Sequence, residues 1–142
     1  MSIPEQLLKL LKNLKLCILA TSYCDYPHLS LMNFTYVAEE GVIILSSRSN
    51  TTKVENIKRN PRVALLFKGL DEHDQLPLSC TIYGTANVVS KEEDLIYRNK
   101  HHKKNHDMSQ FINGEHISVI KVNIESAALS DSNDKVKTWT NK

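Results

Sequence analysis

A mainly β chain with a few short helices is what this sequence predicts, its strands forming an antiparallel sheet closed into a small barrel. Three observations carry that α+β reading. Short runs rich in β-branched residues follow one another with turn residues between them, only three stretches show helical spacing, and strands and helices do not alternate regularly as in a parallel sheet. The length of 142 residues fits a single domain, 1–142, with a polar tail over 130–142.

The elements follow in order. Ser2 and Glu5 predict a capping box, Pro4 suits the first helical turn, and Leu7, Leu10, Leu11 and Leu14 then recur at helical spacing opposite Lys9, Lys12 and Lys15. The period then changes. "LCILATS" (16–22) is a short apolar strand, "YCDYP" (23–27) a turn, and "HLSLMNFTYV" (28–37) a second strand. "AEEG" (38–41) closes a hairpin onto "VIILSS" (42–47), read as a buried strand. Thr52 with Glu55 predicts a second capping box, and Asn60-Pro61 ends that helix, because the residue before proline is pushed out of the helical region. "RVALLF" (62–67) reads as another buried strand and "KGLDEHDQLP" (68–77) as a polar, mobile loop. Gly84 inside "LSCTIYGTANVV" (78–89) predicts a bulge or a close backbone approach. Ser90 and Glu93 open a third capped helix, "DMSQFI" (107–112) reads as one more helical turn, and "ISVIKVNIESAAL" (117–129) as the last of six strands.

Composition narrows the function classes. A net charge of +2 gives little push toward nucleic acid or acidic membranes, and no run of about 18 apolar residues is present to span a bilayer. The amino end mixes lysines into its apolar residues and does not read as a signal peptide. Cys17, Cys24 and Cys80 form no CxxC pair and read as buried reduced thiols, which predicts a cytoplasmic protein.

One stretch, "SRSNTTKVENIKRNPRV" (47–63), invites chemistry. A helix amino end offers unpaired N–H groups and a partial positive charge. Here Ser46, Ser47, Arg48, Thr51, Thr52 and Lys53 gather hydroxyls and cations at that point, as a phosphate requires. The plainer reading is that Thr52 caps the helix and Lys53 is solvated; residue types alone leave both open. In "KHHKKNH" (100–106), His102 and His106 are four apart and could share a helix face as a zinc pair, yet no third ligand is well placed, so the run reads as a solvated face. It also lacks the interleaved aromatics of a nucleic-acid surface, Tyr97 apart. His28, His73 and His116 are scattered, and no Ser/His/Asp order, HExxH or Walker motif is present. Trp139 in the polar tail reads as a packing residue.

The order "LATSYCDYPHLSLMNF", "EEGVIILSS", "TTKVENIKRNPRVALLF", "YGTANVV" resembles the pyridoxamine 5′-phosphate oxidase-like family of FMN-binding split barrels, over roughly residues 5–125. The pattern from Lys53 to Val63, K-x-x-N-I-x-x-N-P-R-V, is the most specific part. The resemblance implies a six-stranded, antiparallel, Greek-key split β-barrel with peripheral helices. It implies FMN as cofactor, its phosphate on Ser46 and Ser47, then Thr52 and Lys53, with Arg48 and Thr51 beside them. It also implies the second strand's backbone at Leu31, Met32 and Asn33 along the flavin ring, and Ser79 reaching the flavin from a second subunit. A homodimer with flavin at its interface follows. Many members carry Arg directly before the Lys where this chain has Thr52, which removes one phosphate charge unless Arg48 supplies it. The family's true oxidase also carries a C-terminal Trp and basic residues for pyridoxal phosphate that have no match here, so oxidase activity on pyridoxine phosphate is not expected. The expectation is a flavin-dependent oxidoreductase acting on a small molecule, with no nucleic acid, membrane or metal partner and no side chain that is an obvious acid or base. The other expectation is a binder without turnover, holding flavin or haem in the same pocket.

Overall fold

The computed structural model describes residues 3–70, 73 and 75–141. Helix α1, Glu5–Asn13, buries Leu7, Leu10 and Leu11 on the face their spacing predicted. Ser2 lies outside the described residues; Pro4 stands at the N-cap, so the helix begins without a side-chain cap. Strand β1, Leu16–Tyr23, turns tightly into β2, Tyr26–Asn33. The turn is Cys24-Asp25 alone, with φ of 51° and 65°, the left-handed pair that a two-residue hairpin of primed type requires. It is shorter than the expected five-residue turn, and it leaves Cys24 exposed where a buried thiol was expected, while Cys17 and Cys80 are buried.

The predicted strand 28–37 divides. Phe34 interrupts it, and β3, Thr35–Val37, pairs with β4, Val42–Arg48, through a turn that places Gly41 at φ 69°. Helix α2, Thr52–Arg59, follows, with Asn60 as its C-cap just before Pro61. Thr51, not Thr52, is the N-cap, and no side-chain cap bond forms, so the predicted Thr52–Glu55 box is absent. The Thr51 hydroxyl instead donates back to the Arg48 carbonyl at 3.0 Å.

Strand β5, Arg62–Leu70, outruns its predicted end and takes three residues of the expected loop; β6, Pro77–Val88, begins before Leu78. Only one face of β5 is covered, since Leu66 remains 41% exposed beside buried Leu65 and Phe67. The expectation of a fully buried strand was therefore half right. Gly84 meets both readings made of it: the β6 register shifts between Tyr83 and Gly84, and a Cβ there would lie 2.2 Å from the Asn123 carbonyl oxygen. Helix α3, Lys91–Lys104, has Ser90 at its N-cap without the predicted capping bond, and a 3₁₀ segment follows over His106–Phe111. Strand β7, Ile117–Asp131, is succeeded by β8, Val136–Thr140. The polar tail was not expected to form a strand. It pairs along β7, and Trp139 packs against the main core, as its size suggested.

Among the described residues the sheet has eight strands rather than six, in the order β2-β1-β5-β6-β7-β4-β3, with β8 on β7. All pairings are antiparallel. β4 precedes β5 in the chain yet lies beside β7, which is the Greek-key exchange. The two ends of the order, β2 and β3, are separated in sequence by Phe34 alone, so the sheet must curl until they meet. At that closure Phe34 is fully buried, edge-on to Phe67 at 4.9 Å, and its N–H donates to the Lys15 carbonyl.

Replacing Phe34 with Ala leaves a cavity where the barrel closes; an unfolding midpoint shift worth about 3–5 kcal/mol is expected in chemical denaturation.

Candidate functional site

The closure at Phe34 is incomplete, and the candidate site is the gap. β2 ends the strand order, so one of its edges carries N–H and C=O groups without a ladder partner. β3 covers β4 only from Val42 to Ile44, so the edge of β4 from Leu45 to Arg48 is open on that side as well. Between these edges lies a cleft of about 400 Å³, a size suited to a small molecule.

Four groups of side chains line it. Leu31, Met32 and Asn33 come from β2, and Ser46, Ser47 and Arg48 from β4. Thr51 and Lys53 come from the start of α2, while His101 of α3 and Met108, Phe111 and Ile112 close the far wall. Of the ten positions singled out in the sequence, eight border this cleft. Thr52 does not: it is exposed on the first turn of α2 and turned elsewhere. Ser79 does not either, being exposed on the outer face of β6, three strands away from β2.

The electrostatics of the cleft are one-sided. Among the described residues no carboxylate lines it, whereas Lys53 and Arg48 both do. Burial holds the Lys53 ammonium below the usual lysine pKa, and no acid near it raises that value again. Arg48 lies 5.9 Å over the Phe111 ring and has no ion-pair partner among the described residues. The hydroxyls shape the loop between them: Ser47 Oγ lies 3.1 Å from Thr51 Oγ1, and Ser46 Oγ donates to the Phe111 carbonyl at 2.8 Å. Because Thr51 does not cap α2, the amides of its first turn are left without a side-chain acceptor.

The K-x-x-N-I-x-x-N-P-R-V pattern divides its labour. Lys53 serves the cleft, while its two asparagines hold α2 on β1. Buried Asn56 donates to Thr21 Oγ1 at 3.1 Å, and Asn60 donates to the Ser22 carbonyl at 3.0 Å. The far wall is fixed by Arg98. It pairs with Asp94 at 2.7 Å and donates to the carbonyls of Ile112, Gly114 and Ile117, clamping the end of the 3₁₀ segment to the start of β7.

"KHHKKNH" is not the uniformly solvated face it was taken for. His101 and Asn105 are almost wholly buried, and His101 reaches the cleft. No metal-binding group of three or more His, Cys, Asp or Glu occurs among the described residues. Tyr97, His101 and Asn105 recur every four residues, so they share one helix face; that spacing was the available signal, hidden by the lysines between them. Burial, then the charges of Lys104 and His102, depress the His101 pKa from 6.5 to about 4.

The sequence pattern of the pyridoxamine 5′-phosphate oxidase family matches residues 3–130. The chain belongs to that family. Among pyridoxamine 5′-phosphate oxidase homologues, one from Schizosaccharomyces pombe is 32% identical over 170 residues, covering 96% of this chain and 90% of its own. A heme binding protein from Mycobacterium smegmatis superposes with a TM-score of 0.80 at 16% identity, over 99% of this chain and 60% of that one. A FAD-binding protein from Mesorhizobium loti superposes with a TM-score of 0.72 at 14% identity, over 86% of this chain and 89% of that one. These two share the pyridoxamine 5′-phosphate oxidase-like fold.

The lowered His101 pKa carries a stability consequence. A base held neutral in the folded state binds fewer protons than the unfolded chain between pH 6.5 and 4, so its contribution is complete above 6.5 and is lost as pH falls toward 4. Denaturation of the wild type and His101→Gln across that window should show about 3 kcal/mol more acid loss in the wild type.

Proposed function

We propose that this protein binds FMN in the cleft between β2 and β4 and is a flavin-dependent oxidoreductase acting on a small substrate. One observation carries the reading: Lys53 is a partly desolvated ammonium with no acidic partner among the described residues, in a cleft without a lining carboxylate. A cation arranged in this way is stabilised by an anion from outside. The fit extends beyond charge. Lys53, the uncapped first turn of α2 and the Ser47 and Thr51 hydroxyls suit a phosphate, with Arg48 in reach to replace the charge absent at Thr52. Leu31, Met32, Met108 and Phe111 offer apolar surface to a flat ring, and the open edge of β2 offers N–H and C=O groups to its polar rim.

A bound flavin supplies hydride and electron transfer, and the chain's part is to hold it, orient it and keep water from it. Among the described residues that line the cleft, no side chain is an obvious acid or base at neutral pH. Lys53 and Arg48 are cations, and His101 is held neutral with its Nδ1 already bonded.

We place the flavin at a homodimer interface. The outer face of the sheet presents Leu29 and Leu31 of β2, 67% and 70% exposed, beside Ile18, Leu66 and Tyr83 of the next strands. An apolar face of this kind favours a partner surface. Leu31 belongs both to this face and to the cleft, so a second copy docked there would border the bound ring. Ser79 is exposed on the same outer face, a position that suits its expected approach to the flavin of a second subunit. The free thiols suit a reducing compartment such as the cytoplasm. The fold shared with a heme binding protein supports a second reading, a flat anionic ligand held without turnover.

Absorbance of the purified protein and titration with FMN test the first reading: a flavin spectrum that bleaches with a nicotinamide donor is expected. Lys53→Glu should weaken FMN binding by about a hundredfold or more, since it removes a charge-assisted bond and sets a carboxylate against the phosphate. Unchanged flavin content in that variant would refute the site. Leu66→Glu should convert the dimer to a monomer by light scattering.

A further inference from the structure

The wall opposite Lys53 holds a polar chain whose direction can be followed atom by atom. Asn105 lies within 3.1 Å of the His101 carbonyl, a group that can only accept, so its amide nitrogen faces that side and its Oδ1 faces Asn33. Asn33 Nδ2 donates to that Oδ1 at 2.8 Å. Asn105 Nδ2 also donates to Thr35 Oγ1 at 3.2 Å and lies 3.3 Å from His101 Nδ1. An amide nitrogen only donates, and the Thr35 hydrogen has no other acceptor among the described residues, so the 2.7 Å contact of Thr35 Oγ1 with Nδ1 has Nδ1 accepting. An imidazole that accepts at Nδ1 and is neutral carries its proton on Nε2. No residue among those described bonds to Nε2. No sealed side-chain nitrogen or oxygen among them lacks a partner, so Nε2 opens onto the cleft that His101 lines. The residue as a whole is 1% exposed, and the contacts of Thr35 and Asn105 at Nδ1 hold the ring in this orientation.

We propose that His101 presents Nε2–H as a neutral hydrogen-bond donor to an acceptor on the bound heterocycle, a ring carbonyl or bare ring nitrogen, and does not ligate iron through Nε2. The inference rests on the flavin reading of the cleft for the identity of its acceptor, but the protonation pattern stands without it. The cations at the Lys53 end suit the phosphate; a neutral donor set among Met108 and Ile112 suits a neutral acceptor. Asn33 and Thr35 act through the imidazole, as positioning residues that hold its tautomer. The same pattern separates the two readings of the site. While Nε2 carries its proton it has no lone pair for a metal, and ligating a haem iron would require that proton to move to Nδ1, where Thr35 Oγ1 at 2.7 Å and Asn105 Nδ2 at 3.3 Å already stand as donors.

Long-range ¹H–¹⁵N correlation spectra of the ligand-free protein read which ring nitrogen of His101 is protonated. A proton on Nε2 is expected; one on Nδ1 overturns the proposal. In fluorescence titrations with FMN, His101→Leu should bind about tenfold more weakly, and His101→Gln, which restores a donor at the same reach, should recover most of that loss. A folded His101→Leu protein that binds FMN as tightly as the wild type overturns the donor role. Hemin titrations complete the set: the same Soret position is expected for the wild type and His101→Leu, and a ligation-type shift lost in the variant overturns the assignment. A wild type that takes up no FMN refutes the flavin reading, and the tautomer spectrum then decides on His101 alone.

Discussion

A single residue between two strands sets the shape of this protein. β2 and β3 stand at opposite ends of the sheet order, yet Phe34 is all the chain that separates them. A link of one residue spans only about 3.5 Å, so the intervening strands must curl until the two ends touch. Burying Phe34 against Phe67 makes that closure favourable. The functional gap arises from the same constraint, because β3 is too short to cover β4 beyond Ile44. Barrel and cleft are therefore two consequences of one connection.

What gathers around the gap is polarised by length and position. The α2 segment arrives with its amino end at the open edge of β4, so Lys53 and the first-turn amides face the cleft while Asn56 and Asn60 turn to β1. On the other wall, Arg98 satisfies three carbonyls that would otherwise be left at an irregular corner, and the 3₁₀ segment is held where Phe111 and Ile112 border the cleft. Among the described residues every sealed side-chain nitrogen and oxygen is bonded, which favours one arrangement over several. His101 Nε2 is not one of these sealed atoms, because it opens onto the cleft.

The outer face adds a second layer. Strands that are apolar on both sides in a sheet with only one filled interior leave a surface that water covers poorly. Leu29, Leu31, Leu66 and Tyr83 lie together there through cross-strand pairing. The near-continuous apolar run of β5 thus has one side packed on the core and the other on the exposed outer face.

Local chemistry was legible in the sequence wherever a residue's role depends on its neighbours along the chain. The leucine period of α1, the stop at Asn60-Pro61, the bulge at Gly84 and the gathering of Lys53 with hydroxyls all rest on short-range sterics and hydrogen bonding, and each was readable from a few adjacent letters. The strand count was not, because β8 is polar and exists only through its pairing with β7. Capping was also misjudged: Thr52 has the right type, but the strand delivers Thr51 to the N-cap and bends its hydroxyl back to Arg48. His101 was hidden among lysines, since a helix face becomes an interior only when another element packs on it. Residue order determined which groups could bind an anion; tertiary structure alone decided which of them face one another, because the cleft joins edges that are far apart in the chain and meet only after the sheet has closed.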